Sequence, residues 1–583
     1  MTGSDHEAAY DAAPWRRLYD SRQSGQCLAA ASASIPELSA RTRDAFPDRP
    51  AFTTCMPNGM SGSLRFADIE DHSDALAVYL RRELGLTPGT RVAVQFPNCL
   101  VYPVAALGVL KAGCVLVNVN PLYTPREMEV QLADCGAEVL IVADLHLDKV
   151  ESVIGRTRLR HVLCGSVAEW FPPLVGGILR LVLRYWNRLL PDHGLEVTGI
   201  GQAVTRGREL ALATDSPAED YWRAIGPDDI AVLQYTGGTT GASKGAVLTH
   251  GNLLANLRQI DAIAARHLTP GSECVLTALP LYHVFAFTVN FLAFYAKGAH
   301  NILVPNPRPI GNCQRALENY PVSWMSGVNT LYNALLNEEW FSLYPPASMR
   351  VAMAGGTALQ GVVAERWARV VGCPIIEGYG LTETSPVLCF NPVERSRADT
   401  VGIPVPGTDV RIVDESGRAV PPGSPGELLV RGPQVSGGYW NRPGETAECF
   451  RDGWFRTGDI AVMDGDGYFR IVDRKKDLIL VSGFNVYPNE VEESIARLDA
   501  VQESAVVGVP DARTGEAVCA YVMLRRPGLS PAAVREHCRG ELASYKVPSH
   551  VIITDDLPRT PVGKVLRKAL RARAADSPRS QEC

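Results

Sequence analysis

Along most of the chain, short apolar runs alternate with longer stretches of helical period. Arg91–Phe96 (RVAVQF), Glu138–Val142 (EVLIV), His161–Cys164 and Ile230–Tyr235 (IAVLQY) carry apolar, often β-branched residues at successive positions. That is the pattern of strands covered on both faces. Val101–Lys111 has the spacing of a helix, and strands alternating with helices predict an α/β architecture. Farther on, Val410–Val413, Gly426–Arg431 and Tyr468–Val472 are strand-like runs separated by Gly/Pro-rich turns, which predicts a smaller, mostly antiparallel, barrel-like unit. The charged run DRKKD (473–477) separates that unit from a new apolar segment and marks a boundary. The predicted division is a tail over 1–39, a large region of α/β subdomains with the barrel-like unit over 40–473, a small α+β unit over 474–573, and a disordered tail over 574–583.

Two stretches depart from this pattern. Residues 274–296 are 23 positions without an Asp, Glu, Lys or Arg, long enough for a membrane span. Pro280, His283, Thr288 and Asn290 interrupt the run, however, so a membrane span is not expected. Leu174–Leu190 is an amphipathic segment in which Arg180, Arg184 and Arg188 fall at i, i+4 and i+8, on one face of a continuous helix. With Trp186 beside them, these arginines suit either a packed surface helix or peripheral contact with an anionic membrane.

Composition narrows the class. The 583 residues are 46% hydrophobic and 21% charged, as in ordinary globular proteins. A formal net charge of −6 argues against a dedicated nucleic-acid binder. That figure averages a split: 17 basic and 14 acidic residues from Arg474 onward leave the first 473 residues at −9. The 14 cysteines show no C-x-x-C pair or metal-ligand spacing, and Met1–Ala13 lacks the basic and apolar pattern of a signal peptide. A reduced, cytoplasmic chain is expected.

The chemistry concentrates in a few motifs. In YTGGTTGASKG (235–245) a buried strand runs into a loop of glycines and hydroxyls with one lysine, the make-up of a phosphate cradle. It is not a Walker A loop, because Lys244 is followed by Gly245 rather than Ser or Thr. GASKG (241–245) matches the G-x-S-x-G nucleophile elbow only formally, since loop residues precede it and a β-like run follows. GGT (355–357) and EGYGLTETSP (377–386) follow; Tyr379 between two glycines can lie against a flat base, and Glu383 can hold Mg²⁺. In GWFRTGDI (453–460), Asp459 can accept hydrogen bonds from a ribose diol, and PVGKVL (561–566) places Lys564 on a glycine turn.

Together with LPLYHVFA (279–286) and VSGFNVYPNEVEE (481–493), these motifs, in this order, resemble the acyl-adenylate-forming, AMP-binding superfamily, and within it the bacterial long-chain fatty-acid–CoA ligases. The resemblance spans about residues 40–573. It implies ATP- and Mg²⁺-dependent joining of a long-chain fatty acid to coenzyme A through an acyl-adenylate. A carrier-protein acyl-AMP ligase and a ligase for another hydrophobic acid are the alternatives. It implies that Thr236, Gly237, Gly238, Thr239, Thr240, Gly241 and Lys244 cradle phosphates, and that Tyr379, with Gly355, Gly356, Gly378 and Gly380, forms the adenine pocket. Thr382 then reaches the α-phosphate, Glu383 holds Mg²⁺, and Asp459 and Arg474 bind the ribose. Lys564 bridges carboxylate and phosphate, Lys476 is the hinge of a mobile cap, His283, Phe285 and Phe287 line the acyl pocket, and Gly483, Phe484 and Asn485 join a coenzyme A tunnel once the cap turns. Leu480 departs from the luciferases and aryl-CoA ligases, which commonly carry lysine there, and favours a fatty-acyl substrate. Oligomeric state stays open, a dimer included.

Overall fold

The structure is a computed structural model that describes residues 10–19, 32–186, 188–214, 217–236, 243–511, 513–560 and 563–576. Two large sheets form the body. A seven-stranded sheet runs in the order Thr198–Gly199, His161–Gly165, Val139–Ala143, Arg91–Gln95, Val115–Asn118, Ile230–Tyr235, Gly245–Thr249, all parallel except the last. A nine-stranded mixed sheet has Val351–Ala354 and Trp324–Gly327 near its centre. The predicted strands fall where the apolar runs are, because side chains on both faces are covered. Val92, Ala93 and Val94 are all fully buried, and so are Val139, Leu140 and Ile141.

The Val101–Lys111 helix is buried on every side, which explains its lack of a polar face. Even Lys111 is enclosed, its ammonium paired with Glu70 at 2.8 Å and Asp74 at 2.7 Å. A cation taken out of water needs such partners.

The barrel-like unit is a five-stranded antiparallel half-barrel containing Asp409–Val413, Gly426–Arg431, Trp454–Met463 and Phe469–Arg474. It closes on a segment that the sequence pattern assigned to the N-terminal tail. Pro14–Leu18 is a short helix whose Trp15 is buried edge-on against Phe469, 5.7 Å between ring centres. Tyr10 and Tyr19 donate to the carbonyls of Val420 and Pro404, at 3.1 and 2.7 Å. The predicted tail is therefore packed at least over 10–19, and the Ile35–Ala45 helix begins inside its predicted span. Tail-like polarity misled here because a single tryptophan and two tyrosines supply the anchoring.

At DRKKD the chain changes sheets. Phe469–Arg474 belongs to the half-barrel, Lys475–Asp477 is a single turn, and Ile479–Val481 opens the C-terminal sheet with Phe484–Val486, Gly515–Leu524, Val501–Asp511 and His550–Ile553. The last helix, Arg567–Asp576, continues past the predicted end at 573, so residues 574–576 are not a disordered tail.

The two unusual stretches also resolve. Residues 274–296 form a strand, a loop, a π-helix at Ala286–Ala293 and a short helix at Phe294–Ala296. Among the described residues, no helix is long and apolar enough to cross a membrane. The 174–190 segment is helical over Pro173–Leu181 and π-helical over Val182–Trp186, and Arg188 has φ +50°. The three arginines therefore do not share one helical face. Arg180 turns back to Glu169 at 2.7 Å.

Candidate active site

One cavity of about 1550 Å³ lies where the two large sheets, the half-barrel and the C-terminal unit meet. The residues singled out by the motifs converge on it from strand ends far apart in sequence.

The Ile230–Tyr235 strand delivers Thr236, whose N–H donates to the Lys244 carbonyl at 2.9 Å and whose carbonyl accepts from Ser243 Oγ at 2.5 Å, closing the loop at its base. Gly237, Gly238, Thr239, Thr240 and Gly241 lie outside the described residues. Lys244 sits 5.3 Å from the Tyr439 ring centre and 3.9 Å from the Glu445 carboxylate.

The Val351–Ala354 strand leads into Gly355 and Gly356, and the Ile375–Gly380 strand carries Tyr379 just before its end. A Cβ on Gly380 would stand 1.8 Å from the Pro386 carbonyl oxygen, so the turn that presents Tyr379 requires glycine there. Tyr379 donates its hydroxyl to Asp459 at 2.5 Å. Asp459 and Arg474 face each other across adjacent strands, with Arg474 Nε 3.4 Å from the carboxylate. Burial raises the Asp459 pKa, against the pull of Arg474, the Tyr379 hydroxyl and Lys564. Thr382 and Glu383 occupy the short turn that follows, and Glu383 accepts from the Tyr439 hydroxyl at 2.6 Å.

Lys564 enters from the C-terminal unit. Gly563, at φ +90°, packs its turn against Arg308, Thr330 and Val328 of the body, and the Lys564 side chain passes about 3.5 Å from the point where a Gly356 Cβ would be. Burial pushes its ammonium down to about 8, Arg474 adding to the shift and Asp459 opposing it. Burial and the nearby Lys564 charge hold His283 down to about 3, so its ring is neutral at pH 7. His283 Nδ1 takes a long hydrogen bond from the Phe285 N–H at 3.4 Å, which leaves the ring proton on Nε2.

Beyond His283 the cavity turns apolar. Its walls there come from Ile260, Ala264, Phe285, Val289, Ala293 and Trp324, with Met353 and Phe390. Phe287 is not among them. It is fully buried in the body's core, edge-on to Phe291 at 5.7 Å, because the π-helix turns Phe287 and Phe291 inward and Val289 and Ala293 toward the cavity. Gly483, Phe484 and Asn485 also lie off the cavity: Phe484 is exposed and stacks on Tyr545 at 5.0 Å. Lys476, on the turn between sheets, does line the cavity.

Several lining residues were missed by motif reading. Glu377 precedes the Gly378–Tyr379–Gly380 triplet, accepts from the Leu359 N–H at 3.2 Å, and is pushed up to about 8 by burial. Its place in EGYG was the available signal. Tyr439 and the apolar residues of the His250–Ala264 helix carried none, since they resemble any core position. The C-terminal unit is tied to the half-barrel by the Asn489 N–H, which donates to Asp473 at 2.9 Å, while inside that unit Arg567 binds Glu492 at 2.8 Å and Arg571 binds Asp477 at 2.7 Å. Among the described residues, no group of three or more His, Cys, Asp or Glu side chains could hold a metal by itself.

Comparison with known proteins agrees with this arrangement. The model of the AMP-binding enzyme family matches residues 39–440, and that of the AMP-binding enzyme C-terminal domain matches 490–564. The chain is 44% identical over 531 residues to a long-chain-fatty-acid–CoA ligase of Escherichia coli O6:H1, covering 91% of this chain and 92% of that one. It is 36% identical over 528 residues to a long-chain-fatty-acid–CoA ligase of Bacillus subtilis (90% and 92%) and 35% identical over 514 residues to a feruloyl-CoA synthase of an Amycolatopsis species (88% and 94%). Among solved structures, an anthranilate CoA ligase in complex with anthranoyl-AMP superposes with a TM-score of 0.80 at 25% identity, covering 94% of this chain and 99% of that one. ATP-bound MatB from Rhodopseudomonas palustris gives a TM-score of 0.78 at 29% identity, covering 93% and 99%. With both family models matched in order and its motif residues gathered round one cavity, this chain belongs to the AMP-binding enzyme family.

Proposed function

We propose that the protein joins a long-chain fatty acid to coenzyme A at the expense of ATP, through an acyl-adenylate. The observation that carries this is the shape of the cavity: one end is polar and cationic, with Thr236, Lys244, Arg474 and Lys564, and the other is an apolar arm walled by Ile260, Val289, Ala293 and Trp324. A nucleotide triphosphate and an alkyl carboxylate need those two environments side by side, and each methylene buried in the arm contributes about 0.8 kcal/mol. The sequence relatives named as long-chain-fatty-acid–CoA ligases support the same substrate class.

In this reading the fatty carboxylate attacks the α-phosphorus of ATP and pyrophosphate leaves; the coenzyme A thiol then attacks the acyl carbon and AMP leaves. Thr236 and Lys244 hold the outer phosphates, together with the loop residues between them. Tyr379 stacks on adenine while its hydroxyl orients Asp459, and Asp459 with Arg474 holds the ribose. Thr382 donates to the α-phosphate. Lys564 stands where carboxylate and phosphate meet and offsets the charge that gathers there; catalysis of this kind is positioning and charge stabilisation. His283, neutral, contributes a hydrogen bond rather than a proton. Glu383 fits Mg²⁺, since that ion takes one or two carboxylates with the rest of its shell from phosphates and water. Mg²⁺ would supply charge neutralisation of the phosphates. Residues 474–573 act as a cap that turns about Lys476 after adenylation, withdrawing Lys564 and bringing Gly483–Asn485 to the coenzyme A path. A cytoplasmic location suits these substrates.

Incubation with palmitate, ATP, Mg²⁺ and coenzyme A tests this: AMP, pyrophosphate and a palmitoyl thioester should appear together. Acyl-AMP accumulating without thioester would favour transfer to a carrier protein instead.

A further inference from the structure

The apolar arm of the cavity is bounded by the nine-stranded sheet on one side, through Trp324 and Met353, and by the Ala286–Ala293 π-helix and the His250–Ala264 helix on the others. The sheet gives the arm a scale of depth. Cys274–Thr277, Trp324–Gly327 and Val351–Ala354 run parallel there. Their C-terminal ends lead to the reacting groups: Thr277 toward His283, Gly327 toward Thr330 beside the Lys564 turn, and Ala354 toward Gly356. Their N-terminal ends therefore lie deep. The Gly327 carbonyl accepts from the Gly355 N–H at 3.2 Å, and Trp324 stands three residues before Gly327, about 10 Å deeper at the rise of a strand.

Alternation along the strand fixes the face. Ser326 donates its hydroxyl to Asn290 of the π-helix at 2.6 Å, so Trp324, two residues earlier, projects toward that same helix. Val275 and Val351 flank Trp324 in register. Neither of them lines the cavity, whereas Met353, two residues farther up its strand, does. The open space thus stops at the indole, which is fully buried and packs edge-on to Phe294 at 5.5 Å between ring centres. Among the described residues its N–H has no hydrogen-bond partner, so the side chain supplies bulk rather than polarity.

We propose that Trp324 is the specificity-determining floor of the arm: the terminal methyl of the acid meets the indole, and the reach from Lys564 to that ring sets the longest chain the site takes without strain. The identity of the ligand rests on the ligase reading; the floor adds the residue that measures it. Each further methylene gains burial until the chain touches the ring, and beyond that length it must bend or displace packed side chains.

A series of saturated acids from about C8 to about C20 tests this. In the wild type, kcat/KM for pyrophosphate release should rise about fourfold per methylene up to one length and then stop rising. In Trp324→Ala the break should move to longer acids. The ratio of kcat/KM for the acid two carbons past the wild-type break to that for the acid at the break should rise about fifteenfold over the wild-type ratio. A ratio taken on one preparation cancels any general loss of activity. Trp324→Phe keeps an aromatic contact with Phe294 and should shift the break less, in the same direction; it carries the test where the alanine variant does not fold. Binding reports the position without catalysis. An acid brominated at its terminal carbon, of the length at the break, should quench more tryptophan emission in the wild type than in Trp324→Phe, and one brominated beside the carboxyl should quench the two alike. The proposal is overturned if the wild-type profile has no break in this range, if the break stays in place in the folded variants, or if the terminal bromine quenches both proteins alike. Bromo acids that bind with the expected pattern while no acid of any length yields AMP would count against the ligase reading and leave the floor standing.

Discussion

Replacing Lys564 by methionine keeps the length of the side chain and removes its charge. Its ammonium lies beside Gly356 within a site shared with Asp459 and Arg474, and burial has already pushed it down to about 8. A cation so desolvated and so held needs little reorganisation when a carboxylate meets a phosphate. Removing one such preorganised donor elsewhere costs about 3–4 kcal/mol, so adenylation measured as pyrophosphate release should fall by about 10²–10³. Thioester formation from supplied acyl-AMP, which does not build that charge, should stay within about threefold of wild type. The pH dependence gives a second, independent reading. The amine is cationic below about 8, so kcat/KM for adenylation should be level there and fall roughly tenfold per pH unit above it, where an ordinary lysine at about 10.5 would keep it level. Bound ATP is a polyanion and favours the ammonium, so the same limb in kcat should move to higher pH. Equal loss of both half-reactions in Lys564→Met, or an alkaline limb that persists in the variant, would refute the assigned role.

Other outcomes follow from the same geometry. Ala293→Trp should fill the apolar arm, cutting activity on long-chain acids by at least about tenfold while sparing short ones, as a chain-length series would show. Glu377 is raised to about 8 in the folded chain from an unfolded value of 4.5, so the native state binds the extra proton: its stabilisation is full below pH 4.5 and is lost as pH rises through about 8. Melting curves across that window should therefore fall less steeply for Glu377→Gln than for wild type. Trp15→Ala should cost about 3–5 kcal/mol in the half-barrel, read as a lower denaturant midpoint, whereas a dispensable tail would change nothing.

Much of the site was written in the order of its motifs. Asp459 and Arg474 are fifteen positions apart and still meet, because the strands carrying them are adjacent and their separation is set by one turn (DGDG). Gly380 is legible for a similar reason: contacts within one turn depend on the chain nearby, and only hydrogen fits against the Pro386 carbonyl. Phe287 shows where this ends. The two polar residues of the Ala286–Ala293 segment, Thr288 and Asn290, are themselves buried, so polarity does not tell which aromatic faces the cavity and which the core; the packing of Phe287 against Phe291 settled it. The arginine trio failed differently, because a spacing of four is a shared face only while the helix lasts, and here it passes through a π-turn to a residue with positive φ.

The sequence by itself determined the α/β class, the strands with apolar residues on both faces, the sheet change at DRKKD and the motif loops, since each depends on neighbours a few positions away. Only the tertiary structure decided that Lys564 reaches Gly356 and Asp459, that Trp15 closes the half-barrel, and that an apolar arm opens beside His283. Those depend on surfaces brought together across hundreds of residues, where the pattern states that a side chain must be covered but not by what.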